Sequence, residues 1–265
     1  MLENISLAGS WSIFCTVGEI VSTVKTTGGA RFWAVVPAAG VGRRMNVDIP
    51  KQYLEIQGKT LLEHTLTRLL EFPLLEKLVL VLAEDDGWYE DIKMLHDKRI
   101  LLAKGGEERC HSVLNGLDVL FEGASENDWV LIHDVARPCI RKADLEWLVS
   151  QLSEHEVGGL LGIPVRDTMK RTDAEGEIVE TVSRDNLWHA LTPQMFRLEL
   201  LRNSLKKALD DSVMVTDEAS ALEYAGHRPL MVEGHTDNIK VTRGTDLALA
   251  SLYIQQQSKL IETID

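Results

Sequence analysis

From Arg31 onward, short apolar runs alternate with stretches whose apolar residues recur every three or four positions. Phe32-Trp-Ala-Val-Val-Pro37 and Leu78-Val-Leu-Val-Leu-Ala83 carry no polar residue, which is what strands buried on both faces of a parallel sheet require. Ile100 to Ala103, Trp129 to His133 and Gly158 to Val165 read as further strands. Between them, Thr60 opens a helix with Glu63 completing a capping box and Leu62, Leu66, Leu69 and Leu70 along one face. Val113, Leu114, Leu117, Leu120 and Phe121 mark a second helix, and Leu145, Leu148, Val149 and Leu152 a third. Repeated βα units with short connections predict an α/β fold, a single mostly parallel twisted sheet covered by helices.

Two stretches depart from this rhythm. Thr168 to Thr181 reads as two polar strands around the turn Asp173-Ala-Glu-Gly176, a hairpin without enough apolar residues for a core of its own. After this arm, spanning about 166–184, helices are expected near Phe196 to Leu209 and Thr216 to Ala225, a strand at Pro229 to Glu233, and a last helix opening near Thr245. No repeat or linker appears, so residues 31–265 read as one domain that includes the arm. Residues 1–30 hold one cation, Lys25, among scattered apolar residues from Trp11 to Val21. Glu3 and Glu19 argue against a secretory or transit signal, and a poorly ordered or wrongly started extension is expected there.

Charge narrows the function classes. The 265 residues carry 28 Lys and Arg against 41 Asp and Glu, a net charge of −13. No block forms a basic arm, which excludes a general nucleic-acid binder, and no apolar run is long enough for a membrane span. The three cysteines, Cys15, Cys110 and Cys139, are odd in number, lie far apart and lack zinc-finger spacing. A reduced, cytoplasmic protein is expected, and none of the thiols shows the signature of an activated nucleophile. Any anion must therefore be held by a few local cations and backbone N–H groups, against the field of the whole molecule.

Candidate chemistry gathers at the ends of strands. Pro37-Ala38-Ala39-Gly40-Val-Gly42-Arg43-Arg44-Met45 directly follows the first strand, where an open α/β sheet places its ligand. Met45 stands where a dinucleotide fingerprint needs its third glycine, and the Gly-Lys-Ser/Thr of a P-loop is missing. A glycine–alanine loop still lets backbone N–H groups approach an anion, and Arg44 with Lys51 adds charge, so phosphate binding is the functional reading. Glycine turns after strands also occur for steric reasons alone. His133 and His189 have no partner at metal-ligand spacing and read as structural.

Gly105-Gly-Glu-Glu-Arg109-Cys-His-Ser112, His133-Asp-Val-Ala-Arg137-Pro, Leu187-Trp-His-Ala-Leu-Thr-Pro-Gln194, Val215-Thr-Asp-Glu218-Ala and Asp237-Asn-Ile-Lys240-Val-Thr complete the set of constellations. With the Pro-Ala-Ala-Gly-x-Gly-x-Arg-Met loop, they make the chain resemble the 2-C-methyl-D-erythritol 4-phosphate cytidylyltransferases of the nonmevalonate isoprenoid pathway, in order from about Trp33 to the final helix. The segment before residue 31 has no place in that pattern. The resemblance implies a Rossmann-like nucleotidyltransferase fold and a Mg²⁺-assisted reaction of CTP with methylerythritol phosphate. A substrate phosphate oxygen attacks the α-phosphorus in line, and pyrophosphate leaves. Because the nucleophile is already an anion, alignment and charge stabilisation carry the catalysis.

The same resemblance implies the residue roles. Arg44 and Lys51 would stabilise the transition state, while Arg184 and Lys240 would position the polyol phosphate. Pro37, Ala38, Ala39, Gly40, Gly42, Gly106, Glu107 and Ser112 would bind the nucleotide, although Ser112 could equally be a helix cap. Asp134, Arg137, Thr168, Thr192 and Thr216 would line the substrate site, with Asp134 also holding Mg²⁺ or simply pairing with Arg137. Thr216 also reads as the N-cap of the following helix. The arm, with Thr168 and Arg184, would cross to a second subunit of a homodimer. Three other readings compete: a cytidylyltransferase for another polyol phosphate such as ribitol 5-phosphate, a non-catalytic nucleotide binder, and a nicotinamide-dependent oxidoreductase. Leu187 to Gln194 and Asn238-Ile-Lys240 favour methylerythritol over ribitol, and the arginine-bearing loop disfavours the last.

Overall fold

The computed structural model describes residues 29–40 and 49–262. Residues 1–28, with Cys15 and the apolar residues of the extension, and residues 41–48, with Gly42 and Arg44, lie outside the described residues. In chain order the strands are β1 (Phe32–Pro37), β2 (Glu55–Ile56), β3 (Lys59–Thr60), β4 (Leu75–Leu82), β5 (Ile100–Lys104), β6 (Trp129–Ile132), β7 (Gly158–Pro164), β8 (Met169–Thr172), β9 (Ile178–Val182), β10 (Trp188–Arg197) and β11 (Leu230–Glu233). The helices are α1 (Leu61–Leu70), α2 (Arg109–Phe121), α3 (Lys142–Leu152), α4 (Leu198–Asp210), α5 (Glu218–Tyr224) and α6 (Gly244–Glu262).

Seven strands form the central sheet in the order β11-β7-β10-β6-β1-β4-β5. β1 runs parallel to β4 and β6, β4 to β5, and β7 to β11, so the expected mostly parallel sheet is present. Its apolar runs follow from two-sided burial. Phe32, Ala34 and Val36 of β1 pack with Leu62, Leu66 and Leu69 of α1 and Leu145, Leu148 and Leu152 of α3. Trp33 and Val35 face the other way, into Val113, Leu117 and Leu120 of α2 with Leu201 and Leu205 of α4. Truncating a fully buried leucine such as Leu117 to Ala would cost about 2–5 kcal/mol. The capping box of α1 forms as the pattern predicts: Glu63 N–H donates to Thr60 Oγ1 at 3.1 Å, and Thr60 N–H to Glu63 Oε2 at 2.8 Å.

Two expectations need correcting. The helix expected from Phe196 starts at Leu198 instead, because Phe196 belongs to β10, antiparallel to both β6 and β7. Phe196 is fully buried in the layer of α2 and α4, and the peptide before Pro193 is cis, where the pairing of β10 with β7 is interrupted between Ala190 and Gln194. The N-cap of α5 is Asp217 rather than Thr216: Asp217 Oδ1 accepts from Ser220 N–H at 3.0 Å. Asp competes well with Thr for this position because its carboxylate also complements the helix dipole. The polar hairpin is present as β8 and β9, which among the described residues pair only with each other.

The end of β6 is braced by a buried histidine. His133 Nε2 lies 3.1 Å from the Arg137 carbonyl, which can only accept, so Nε2 carries the proton. Nδ1 then accepts from the Thr192 hydroxyl at 3.1 Å, and Thr192 Oγ1 in turn accepts from Asp134 N–H at 3.1 Å. The ring is satisfied as a neutral imidazole, the structural role expected of it, and burial pushes its pKa down to about 4. Thr65 Oγ1 also donates to the Val135 carbonyl at 2.8 Å, tying α1 to the same turn.

This brace sets a pH dependence of stability. Below an unfolded-state pKa of 6.5 the unfolded chain binds a proton at His133 that the folded chain refuses until about pH 4, so its contribution falls as pH drops through that window. The difference in urea-unfolding free energy between the parent protein and His133→Gln is therefore expected to be largest at pH 7. It should shrink by up to about 3 kcal/mol towards pH 4. A difference that does not change with pH would show that the ring is not held neutral.

Candidate active site

At the carboxyl ends of β1 and β6 a cleft of about 210 Å³ opens between the Pro37–Gly40 loop, the Gly106–Arg109 turn and Asp134–Ala136, with Lys51, Ser112 and Lys240 on its walls. The loop and the turn meet closely, with the Ala39 methyl against Gly105. A Cβ placed on Gly105 would stand 2.4 Å from Ala39 Cβ, and one on Gly106 would stand 2.4 Å from His111 Cβ, so both positions need glycine for space. Gly106 N–H donates to Ser112 Oγ at 3.0 Å, and that hydroxyl donates to the Glu108 carbonyl at 3.2 Å. Ser112 thus lies within α2, pinning the turn that precedes it, and is not the helix cap. Glu107 is exposed at the rim.

Lys51 reaches the cleft from a single 3₁₀ turn, Lys51–Tyr53, that its neighbours anchor. Gln52 Nε2 donates to the Ala38 carbonyl at 2.8 Å, and Tyr53 Oη donates to Asp86 Oδ2 at 2.8 Å. Lys240 arrives from the other side on the loop after β11. Val241 N–H donates to the Ala136 carbonyl at 2.8 Å, Arg137 Nη1 to the Asn238 carbonyl at 2.8 Å, and Asn238 Nδ2 to the Thr192 carbonyl at 2.8 Å. Asp237 is gripped by Arg141 Nη2 at 2.6 Å and by Gln257 Nε2 at 2.9 Å. In the sequence Asp237 and Asn238 stand out only as part of the constellation around Lys240, and Arg141 does not stand out at all.

Asp134 is the electrostatic centre. Its Oδ1 accepts from Arg109 Nε at 3.1 Å, its Oδ2 lies 2.7 Å from Lys240 Nζ, and Arg137 Nε stands 3.8 Å away. Burial would push this carboxyl up, but the charges of Arg109 and Lys240 more than offset that and hold it well below the usual carboxylate range. Arg109 is the residue that sequence reasoning passed over. It sits at the first position of α2, where the helix dipole disfavours a cation, and that mismatch was the available signal. The structure supplies the reason: its guanidinium forks onto Glu218 at 2.6 and 3.1 Å while also reaching Asp134. Glu218 is 1% exposed.

Not every expected residue converges here. Thr192 is buried, and its hydroxyl is engaged by His133 and the Asp134 N–H, so within the chain it holds Asp134 in place. Thr216 is exposed and lines a neighbouring cavity of about 70 Å³ together with Glu108, Cys110 and Asp217. Thr168 and Arg184 are exposed on or beside the arm and do not line the cleft of their own chain, and the Arg184 guanidinium donates to the Arg166 carbonyl. Arg44 and Gly42 fall outside the described residues. Both oxygens of Asp134 already face cations, so its carboxylate does not fit as a ready-made Mg²⁺ ligand. Lys240 or Arg109 would first have to be drawn away.

With this geometry in view, comparison with known proteins is specific. The family model for 2-C-methyl-D-erythritol 4-phosphate cytidylyltransferase matches residues 32–256. A protein of that name from Vibrio vulnificus is 51% identical over 224 residues, covering 84% of this chain and 94% of its own. One from Pseudomonas putida is 54% identical over 217 residues, covering 82% and 92%. The crystal structure of the Francisella tularensis 2-C-methyl-D-erythritol 4-phosphate cytidylyltransferase superposes with a TM-score of 0.75 at 35% identity, covering 84% of this chain and all of that one. The matched span runs from β1 into α6 and takes in the loop, the turn, Asp134 and Lys240, so that the chain belongs to the 2-C-methyl-D-erythritol 4-phosphate cytidylyltransferase family.

Proposed function

We propose that this protein transfers the cytidylyl group of CTP to 2-C-methyl-D-erythritol 4-phosphate, giving 4-(cytidine 5′-diphospho)-2-C-methyl-D-erythritol and pyrophosphate. The observation that carries the reading is the meeting of Lys51, Lys240 and Arg109 in one cleft between the Pro37–Gly40 loop and the Gly106 turn, in a protein of net charge −13. A phosphate oxygen of the polyol phosphate attacks the α-phosphorus of CTP, the new P–O bond forms as the bond to pyrophosphate breaks, and no proton has to move. The protein's work is alignment and charge.

In this reading the backbone of Pro37, Ala38, Ala39, Gly40 and Gly42 borders the triphosphate, and Gly106, Glu107 and Ser112 border cytosine. Lys51 lines the same cleft as Ala38 and Gly40, and with Arg44 it would stabilise the α-phosphorus and the leaving group. Lys240, paired with Asp134 at 2.7 Å, would turn to the incoming phosphate. Asp134 and Arg137 meet the polyol, and Thr192 holds Asp134 for them. Mg²⁺ would supply compensation for the phosphate charge, and Asp134 would help to hold it only once Arg109 or Lys240 is drawn away. Pyrophosphate release should be measurable with CTP and methylerythritol phosphate. Across four nucleoside triphosphates and two polyol phosphates, equal or better turnover with ribitol 5-phosphate or with UTP would overturn the assignment. Lys51→Ala and Arg44→Ala are each expected to lower kcat on the order of 10²-fold with a smaller change in KM, because their contacts strengthen as charge develops at phosphorus. Near-normal kcat in a folded variant would remove that residue from its role.

We further propose a cytoplasmic homodimer in which each arm completes the partner's site. Ile178 and Val179 of β9 are 64% and 63% exposed, and the two-stranded arm has no core of its own. A second chain covering it would bring Thr168 and Arg184 over the neighbouring polyol phosphate, and Thr216 would border that phosphate from its own chain. Mixing an Arg184→Ala chain with a Lys51→Ala chain checks this. Each mixed dimer would carry one site with both defects and one with neither, so activity should recover to about half of normal per mixed dimer. If the mixture stays as inactive as its parents after verified subunit exchange, Arg184 acts within its own chain.

A further inference from the structure

Among the described residues, Glu108, Cys110 and His111 alone bring three metal-ligating groups of this kind together, one ligand atom from each lying within 4.8 Å of the others. They belong to one short stretch at the start of α2, just behind the Gly106 turn. Cys110 Sγ lies 4.0 Å from Glu108 Oε2 and 3.8 Å from His111 Nδ1. Around a tetrahedral zinc with its usual bond lengths, a thiolate sulfur and an imidazole nitrogen are about 3.6 Å apart. Two of the three separations therefore come within a few tenths of an ångström of the bound geometry, and the exposed Glu108 is free to swing in for the rest.

The surroundings favour a cation. The cavity of about 70 Å³ reaches Cys110, and its wall carries Glu108, Asp217 and Glu218. Arg109 is the positive neighbour, but its guanidinium is directed away, onto Glu218 and Asp134. The carboxylates of Glu108 and Asp217 on that wall leave this corner negative, which attracts a divalent ion. Thiolate, imidazole and carboxylate together select a borderline-soft metal over Mg²⁺ or Ca²⁺.

We propose that Glu108, Cys110 and His111 form a Zn²⁺ site, with water in the fourth position, that clamps the turn carrying Gly106. Binding replaces the thiol proton with a Zn–S bond, and the proton passes to buffer. The site shares Glu108 with the wall of the cleft but uses none of the residues given a role in the transfer there, and its test needs no turnover.

The intact protein, first stripped with chelator, is titrated with Zn²⁺ and, in parallel, with Co²⁺ as a spectroscopic probe. One equivalent should bind, with a thiolate-to-cobalt charge-transfer band, undisturbed by excess Mg²⁺. Cys110→Ala should abolish the band. His111→Ala, which keeps the Cβ packed on Gly106, and the exposed Glu108→Gln should each weaken zinc on the order of 10-fold or more. Zinc should also raise the melting temperature of the parent protein and not that of Cys110→Ala. Absence of the thiolate band in the parent protein, or equal zinc affinity in the parent and the Glu108→Gln variant, would overturn the proposal.

Discussion

A carboxylate with only a tenth of its side chain exposed is costly to ionise unless cations surround it, and Asp134 gathers Arg109, Lys240 and Arg137 from three separate segments. The dependence is mutual. Without Asp134, three positive side chains would face one another across the cleft, and without them the carboxylate would be an uncompensated buried charge. Removing one partner of such a set costs about 3–5 kcal/mol, more than most single side-chain contacts contribute. The fold is arranged around meeting this condition. Arg109 is forked onto Glu218, Lys240 rides on a loop bonded to the Asp134–Arg137 turn, and the turn itself hangs from His133 and Thr192.

The same arrangement explains how an acidic protein can attract two anionic substrates. In the proposed reaction Asp134 would act as a placeholder for anions, keeping Lys240 and Arg109 ordered and pointed inward. An arriving phosphate would exchange with it for their charge, and no cation would have to be ordered from solvent at that moment. Preorganised charge of this kind is what a phosphoryl-type transfer asks of its protein, since the reaction has little other covalent chemistry to assist. The glycine positions serve the same end. Gly105 lets Ala39 of the loop pack against the turn, and Gly106 lets the turn close on His111 of α2, so this wall of the cleft is built from closely approaching backbone.

Much of this was legible along the chain, and the parts that were not share a cause. Apolar runs and helical spacing located the strands and helices of the parallel half, because burial on one or both faces leaves a local periodic record. The capping box at Thr60 and Glu63 and the polar arm were likewise local. β10 was not foreseen, and its end was read as the start of a helix because Phe196 is apolar in either context. Whether it closes a strand or opens a helix depends on which neighbours, β6 and β7, it lies between. Thr216 and Asp217 are both sound caps in sequence, and only the backbone geometry chose between them.

The sequence by itself determined the layered α/β architecture and the glycine loop at the end of the first strand with Lys51 close after it, because each is written in residues that are neighbours or follow a short period. It pointed to Lys240 through the family resemblance of its segment. The tertiary structure alone decided that Arg109 would bridge Glu218 and Asp134, residues 109 and 25 positions away, and that Thr192 would serve Asp134 through its backbone. It also decided that Arg184 would stand apart from its own chain's cleft. Those pairings are long-range and electrostatic. They leave no period in the sequence, and they form only once the sheet has brought the ends of β6 and β10 and the start of α2 to the same place.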